Sequence, residues 1–349
     1  MQLNQEKLEP LLGIILNDVG GAANAALVHI GFELGLFDAL GIDKPTTPAE
    51  LARKTGTHER YIREWLSAQA ATGFVSYDAK TGKFWLSNEQ GALFADRDSP
   101  LYQSGAFACV TSMYEDQNRL TRAFKTGTGL GWEDHGGCLY CSIEWVFKPR
   151  YKGELVANWL PALDGVVEKL KRGGKVADVG CGHGASTIMM AEAFPKSQFV
   201  GIDFHDKSIE HAKSHVNGHK NIRFDVARAE DYEGKGYDLV TIFDALHDMG
   251  DPVGAARHIR KTMAPDGTLM IVEPMAGDTL ADNLNPVGRM YYAFSTGMCV
   301  PSSLNQEVGA ALGAQAGPTR LTEVLKEAGF SRVRRAAETP LNMVLEARI

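Results

Sequence analysis

The chain has 349 residues, a formal net charge of −7 and ordinary apolar and charged fractions, so it can bury a large core across two or three domains. The acidic balance disfavours a nucleic-acid partner, whose phosphates require a basic excess. Five scattered cysteines (Cys109, Cys138, Cys141, Cys181 and Cys299) form no disulfide framework, and Asn17 and Asp18 interrupt the early apolar run, so no stretch reaches the roughly 18 apolar residues of a membrane span and a cytoplasmic location without membrane contact is expected.

Residues 9–40 are rich in Ala and Leu, with helical spacing through Leu11, Ile14, Ile15, Ala22, Ala25, Ala26 and Ile30, and Gly31, Gly35 and Gly41 punctuate them. Thr47-Pro48-Ala49-Glu50 reads as a capping box, with Thr47 at the N-cap, Pro48 at N1 and Glu50 at N3. A second helix is expected from about His58 through Trp65 and Leu66. Two short strands follow, Phe74–Tyr77 and Lys83–Ser87, joined by a turn at Asp78–Gly82. Two helices and a hairpin make a winged-helix pattern. Residues 100–165 are mixed and hold a Gly-rich piece, Thr126–Gly137, that contains Trp132 and His135. Helical patterning resumes at Leu155–Leu170.

From Lys175 strands alternate with helices. Strands are expected at Lys175–Val179, Gln198–Ile202, Ile222–Val226, Tyr237–Phe243 and Gly267–Val272, with helices such as Ser186–Ala193 and Lys207–His215 between them. This alternation implies an α/β fold with a parallel sheet covered on both faces. Gly329–Arg335 and Asn342–Ala347 read as a closing antiparallel pair. The expected domains are 1–99, 100–165 as a helical connector covering the active site, and 166–349.

The first of these parallel strands runs into Asp178-Val179-Gly180-Cys181-Gly182-His183-Gly184. Glycines there let the backbone approach a ligand, and the helix opening near Ser186 offers free N–H groups. A lone glycine pattern serves NAD equally well. Asp178, two residues before the first glycine, sets it apart, because it places a carboxylate where a methionine ammonium would lie. Gly201-Ile202-Asp203 ends the second strand, with Asp203 19 residues beyond Gly184 and placed for two ribose hydroxyls. Phe204 follows it, Ala229-Glu230-Asp231 mark an adenine edge, and Phe243-Asp244 end the fourth strand. The ligand expected here is S-adenosylmethionine (SAM), leaving as S-adenosylhomocysteine. Cys181 is explained by small size rather than reactivity, and His183 is a spacer or a contact to the SAM carboxylate.

Residues 175–273 resemble the class I SAM-dependent methyltransferases. With the winged-helix front end, nearly the whole chain resembles their small-molecule O-methyltransferase group. Trp132-Glu133-Asp134-His135, Asn158–Leu163 and Pro301-Ser302-Ser303 are similar to one bacterial and nematode branch of that group. The resemblance implies a Rossmann-like, seven-stranded, mostly parallel sheet in the order 3-2-1-4-5-7-6. It also implies a front domain that forms a homodimer. Arg228 stands where the family often has Asp, a departure at the adenine edge.

Methyl transfer to a hydroxyl needs alignment and removal of a proton. His247, just past the fourth strand in Leu246-His247-Asp248-Met249, is the candidate base; it could instead cap a local turn. The resemblance implies that Glu273, ending the fifth strand, orients the ring. Met249 stands where the family has Trp. Asp248 reads as a local cap or a solvated group. The substrate, a small molecule, is expected near Trp132, His135, Met249, Tyr291 and Tyr292, the tyrosines lying in an insertion that either lids the pocket or packs as core. His135, Cys138 and Cys141 have partial zinc-ligand spacing but no evident fourth ligand, so no metal is expected. Two other readings stay open: S-methylation of a thiol or hydrosulfide, and a SAM-sensing winged-helix DNA-binding regulator. Against the regulator, Arg60 and Arg63 on the candidate recognition helix are opposed by Glu59 and Glu64.

Overall fold

The structure, a computed structural model, describes residues 3–137, 139–216 and 218–349. It divides into two compact units, one running to Tyr114 with Trp145–Pro149, the other made of Glu115–Glu144 and Arg150–Ile349.

In the first unit a 29-residue helix, Gln5–Glu33, is followed by Leu36–Leu40, Pro48–Thr55 and Glu59–Thr72. The capping box at Thr47 forms as expected: Glu50 N donates to the Thr47 hydroxyl at 3.3 Å, and Thr47 N donates to the Glu50 carboxylate at 2.8 Å. Strands β1 (Ser76–Asp78) and β2 (Lys83–Trp85) pair antiparallel. Leu36, Phe37, Leu51, Trp65, Leu66, Leu86 and Phe94 form the core. Gly31 does not break the first helix. It lies inside it, where a Cβ would come within 2.6 Å of Trp65 Cζ2, so the glycine is there for close packing. Gly35, in the left-handed region at φ 62°, does turn the chain.

One expectation is corrected here. Gln5–Glu33 is long and apolar enough to cross a membrane, since Asn17 and Asp18 dilute the run without ending it. Leu11, Leu12, Ile14, Ile15, Leu16 and Val19 all lie exposed on it.

The second unit is built on seven strands: β3 (Lys175–Val179), β4 (Gln198–Asp203), β5 (Ile222–Val226), β6 (Tyr237–Phe243), β7 (Met263–Pro274), β8 (Arg332–Glu338) and β9 (Asn342–Arg348). Their order is β5-β4-β3-β6-β7-β9-β8, which is the 3-2-1-4-5-7-6 order implied by the resemblance. β3 to β7 run parallel, and β9 is antiparallel to both neighbours. The β3 and β6 side chains are almost wholly buried, as expected for a sheet covered on both faces. β3 lies between β4 and β6, so the chain reverses its direction of travel across the sheet at that point. Ligands of open α/β sheets bind outside the carboxyl ends of the strands at such a place.

In the 100–165 region the helices fall where the mixed pattern does not mark them. Helices occupy Ser104–Glu115, Gln117–Thr126 and Leu139–Glu154, the last beginning well before Leu155. A π-helical turn at Leu155–Trp159 then interrupts the expected Leu155–Leu170 helix, which restarts at Val166–Arg172.

Candidate active site

The glycine turn is tied down from two sides. Gly180 N and Cys181 N both donate to Ile202 O, at 2.8 and 3.0 Å. Gly182 N donates to Asp203 Oδ2 at 2.9 Å. Gly180, Gly182 and Gly184 all have positive φ, of 74°, 52° and 78°. At Gly184 a Cβ would strike the Phe224 ring at 2.5 Å, whereas one at Gly182 would project into open space. The loop therefore packs at one end and opens at the other, ahead of the helix Ala185–Ala193. An open glycine cradle before a helix N-terminus fits SAM, with Asp203 at the next strand end.

Asp178 is only 1% exposed, and its carboxylate is engaged by the chain's own hydroxyls. Ser186 and Thr187 donate to Oδ2 at 2.6 Å each, and Thr241 donates to Oδ1 at 2.9 Å. Burial raises its pKa and the three hydroxyl bonds oppose that shift. Asp178 and Ser186 thus bind each other and lock β3, the turn and β6 together. The sequence alone predicts this carboxylate facing the ligand, whereas in the structure both its oxygens accept hydroxyls.

Asp203 receives a second backbone bond, from His205 N to Oδ1 at 2.9 Å, and burial raises its pKa. Phe204 is exposed. Ala229 and Glu230 are half-buried beyond β5, with Arg228 Nε 4.0 Å from the Glu230 carboxylate. The Cys181 thiol is buried, and burial followed by the Asp203 charge holds its pKa well above the usual range, which suits a small spacer rather than a nucleophile. His183 Nδ1 meets Glu144 Oε2 at 3.0 Å, and its ring stacks on His211 at 4.0 Å. His211 Nε2 is 3.6 Å from the same carboxylate oxygen. Glu144, His183 and His211 thereby form a set with metal-ligand chemistry, gathered from three separate elements. The suspected zinc spacing does not lead there: Cys138 lies outside the described residues, and Cys141 is disulfide-bonded.

At the end of β6, Phe243 is buried against Tyr151, with ring centroids 5.1 Å apart. Asp244 takes φ 47°, a left-handed conformation rare outside glycine, and accepts Asn342 Nδ2 at 2.9 Å. Burial, then the Glu273 charge, pushes its pKa up to about 7. The chain next makes one short turn, Leu246–Asp248. Parallel pairing of Phe243 with Val272 puts this turn beside Glu273. Leu246 N donates to Glu273 Oε1 at 3.1 Å, and His247 Nδ1 meets Glu273 Oε2 at 2.5 Å.

His247 and Glu273 are 3% and 1% exposed, so the pair is shielded from water. The other ring nitrogen, Nε2, lies 3.1 Å from Asp248 Oδ1. Asp248 is therefore no solvated cap. Burial works against a charged His247 ring, but the Asp248 and Glu273 carboxylates outweigh it and hold the pKa well above 6.5. Cys299 joins the cluster from a π-helical turn, Ser295–Cys299, and its thiol is pushed up to about 12 by burial, then by Asp248. The backbone of Met249, itself half-buried, accepts the Ser303 hydroxyl at 2.8 Å.

Of the residues expected around the substrate, His135 is buried, and its ring lies edge-on to Trp132 with centroids 6.1 Å apart. Trp132 is half-buried and its carbonyl accepts the Tyr140 hydroxyl at 3.1 Å. Tyr291 is buried and donates to Leu341 O at 2.8 Å, a packing role; burial pushes its pKa up to about 12. Tyr292 is half-buried. Sequence reading missed Asp116, Glu144, Tyr151 and Cys299, because none stands in a motif and each reaches the site only through the fold.

Comparison with known proteins points to methyltransferases. Residues 170–329 match a family described as a methyltransferase domain, and residues 22–96 match the Rv2258c-like winged HTH domain. The chain is 24% identical over 335 residues to the mitomycin biosynthesis 6-O-methyltransferase of Streptomyces lavendulae, covering 88% of this chain and 93% of that one. Among solved structures it is similar to human N-acetylserotonin methyltransferase in complex with SAM (TM-score 0.76, 18% identity, 100% of this chain and 99% of that one). It is also similar to the mitomycin 7-O-methyltransferase MmcR (TM-score 0.64, 19% identity, 99% and 100%).

Proposed function

Because the chain is a SAM-dependent methyltransferase with an N-terminal winged-helix domain, we propose that it methylates a hydroxyl oxygen of a small molecule with His247 as the general base. The observation that carries this reading is the buried His247–Glu273 pair at the carboxyl end of β6, beside the glycine turn. Glu273 accepts the proton on Nδ1, and Nε2, which faces Asp248 Oδ1 at 3.1 Å, takes the acceptor's proton once the ring is neutral. As the new O–C bond forms and the S–C bond of the sulfonium breaks, the hydroxyl proton passes to Nε2 and the Glu273 carboxylate stabilises the resulting imidazolium. The bound cofactor supplies an electrophilic methyl group, and the chain supplies alignment and the base. A positioned base contributes about 10²–10⁴-fold.

Asp203 receives the ribose hydroxyls. Gly180, Cys181, Gly182 and Gly184 form the backbone cradle, while Asp178 and Ser186 hold it in shape. Phe204, Ala229 and Glu230 border the adenine, and Phe243 and Asp244 line the approach to the methyl group. Trp132, His135, Met249 and Tyr292 face the acceptor.

In this reading the front domain serves a cytoplasmic homodimer rather than nucleic acid. The exposed Leu and Ile residues of Gln5–Glu33 support an apolar partner surface. On the recognition-type helix Glu59–Thr72, Arg60 and Arg63 are paired with Glu64 and Glu59 at 2.5 and 2.7 Å, which leaves little charge for phosphate.

The test is His247→Ala with phenolic and thiol acceptors side by side. Phenol methylation should fall about 10²–10⁴-fold, while thiols, partly ionised at neutral pH, should lose little. Phenol turnover that survives the change intact would remove His247 as the base.

A further inference from the structure

A second carboxylate–imidazole pair stands near the first. His135 Nδ1 meets Asp116 Oδ2 at 2.7 Å, and both side chains are almost fully enclosed. Asp116 is fixed in turn: Arg119 Nη1 and Gly136 N both donate to Oδ1 at 2.9 Å, and Arg119 also donates to Asp134 O at 2.7 Å. An aspartate that already accepts two such donors leaves Nδ1 as the protonated nitrogen of His135. Its Nε2 is then a bare acceptor, and it is buried with no hydrogen-bond partner among the described residues.

The loop that carries His135 is seated at the acceptor side of the site. Leu130 N donates to Pro301 O at 3.0 Å, and Gly129, at φ 73°, approaches Pro301 O so closely that a Cβ would lie 2.4 Å from it. Pro301 belongs to the helix Val300–Leu304, which continues from Cys299, the thiol beside His247 and Asp248. Asp248 lies close enough to His135 to interact with it electrostatically. Asp248 Oδ1 lies 3.1 Å from His247 Nε2 on the same side of the site. With His247 Nε2 given to the methylated hydroxyl, His135 Nε2 remains as a lone pair that calls for a donor.

We propose that the Asp116–His135 pair receives a second O–H or N–H donor of the acceptor, so that the substrate is a small molecule with at least two such groups, one methylated at His247 and one held at His135. This rests on the reading of His247 as the base at a hydroxyl acceptor. It deepens that reading by making selectivity the work of a second dyad. A lone hydroxyl would leave His135 Nε2 buried and unpaired, a penalty that discriminates between substrates with and without the second donor.

The test uses the full-length protein with SAM and four probes: phenol, catechol, resorcinol and hydroquinone. At least one dihydroxybenzene should exceed phenol by tenfold or more in kcat/KM. His135→Ala should raise KM for that probe at least tenfold and erase its advantage over phenol. His135→Gln, whose amide oxygen still accepts, should restore part of the preference, and Asp116→Asn should weaken it. Calorimetric titration with SAM reports whether each variant is folded. Phenol methylated as well as every dihydroxybenzene, or a preference that survives in folded His135→Ala, overturns this inference and leaves the base assignment standing. Methylation of none of the four probes overturns the hydroxyl-acceptor reading and this inference with it.

Discussion

His247 Nδ1 lies 2.5 Å from Glu273 Oε2, although 26 positions separate the two residues in the chain. Parallel pairing of β6 with β7 places their carboxyl ends side by side, and the short turn after Asp244 swings the imidazole back over the end of β7. The buried carboxylate raises the basicity of the ring and turns Nε2 toward Asp248. Glu273→Gln keeps the side chain's length and removes its charge. It should lower kcat for a hydroxyl acceptor by tenfold or more while leaving SAM affinity, read by calorimetry, close to that of the wild type.

The same electrostatics set a pH dependence. Asp248 and Glu273 hold the His247 pKa well above the ordinary histidine range, and the ring must be neutral to take a proton. The acid limb of kcat/KM should therefore lie above pH 6.5, with activity rising as pH passes through the raised value. Asp248→Asn should move that limb to lower pH. The stability effect has the opposite course. The paired cation stabilises the fold fully below the ordinary pKa, and that contribution is lost as pH rises through the folded value. An acid limb that stays in place in Asp248→Asn would remove Asp248 from the account.

Asp203 holds the glycine turn through Gly182 N at the end of β4, and in the proposed reading it receives the ribose hydroxyls. Asp203→Ala should weaken SAM binding by at least tenfold in calorimetry. Asp178→Ala should act first on stability. It strips one partner from the hydroxyls of Ser186, Thr187 and Thr241, and leaving such buried donors unpaired costs about 1–3 kcal/mol each. A lowered melting temperature with and without SAM is expected. A variant that loses only SAM affinity, with unchanged melting, would instead put Asp178 in direct contact with the cofactor.

In the first unit, Gly31→Val should disrupt the packing between the first helix and Trp65, where a Cβ already falls within 2.6 Å of the indole. Overpacking of this kind costs about 1–3 kcal/mol. Trp65 donates its indole N–H to Leu27 O at 2.8 Å, so tryptophan fluorescence should report the disturbance.

Leu12→Glu together with Ile15→Glu places two charges on the exposed apolar stretch of Gln5–Glu33. If that surface forms the homodimer, the double variant should sediment at half the wild-type mass. If it meets a membrane instead, wild type should co-sediment with lipid vesicles and the variant should not.

Much of this protein is legible in the chain alone. Strand and helix alternation from Lys175, the Asp178–Gly184 turn, the Thr47 capping box and the position of His247 are local patterns, fixed by periodicity, capping and glycine chemistry over a few residues. The sheet order comes from the family resemblance those patterns carry, since right-handed crossovers alone leave several parallel orders open. What the chain could not reveal is which way a side chain faces once packed. Asp178 turns inward to three hydroxyls rather than toward a ligand, and Asp248 turns to His247 rather than to water. Asp116 reaches His135 across 19 residues and Cys299 reaches His247 across a π-helical turn. Such pairings depend on tertiary packing, in which a buried polar atom takes whichever partner the surrounding elements bring to it, and no spacing rule encodes that choice.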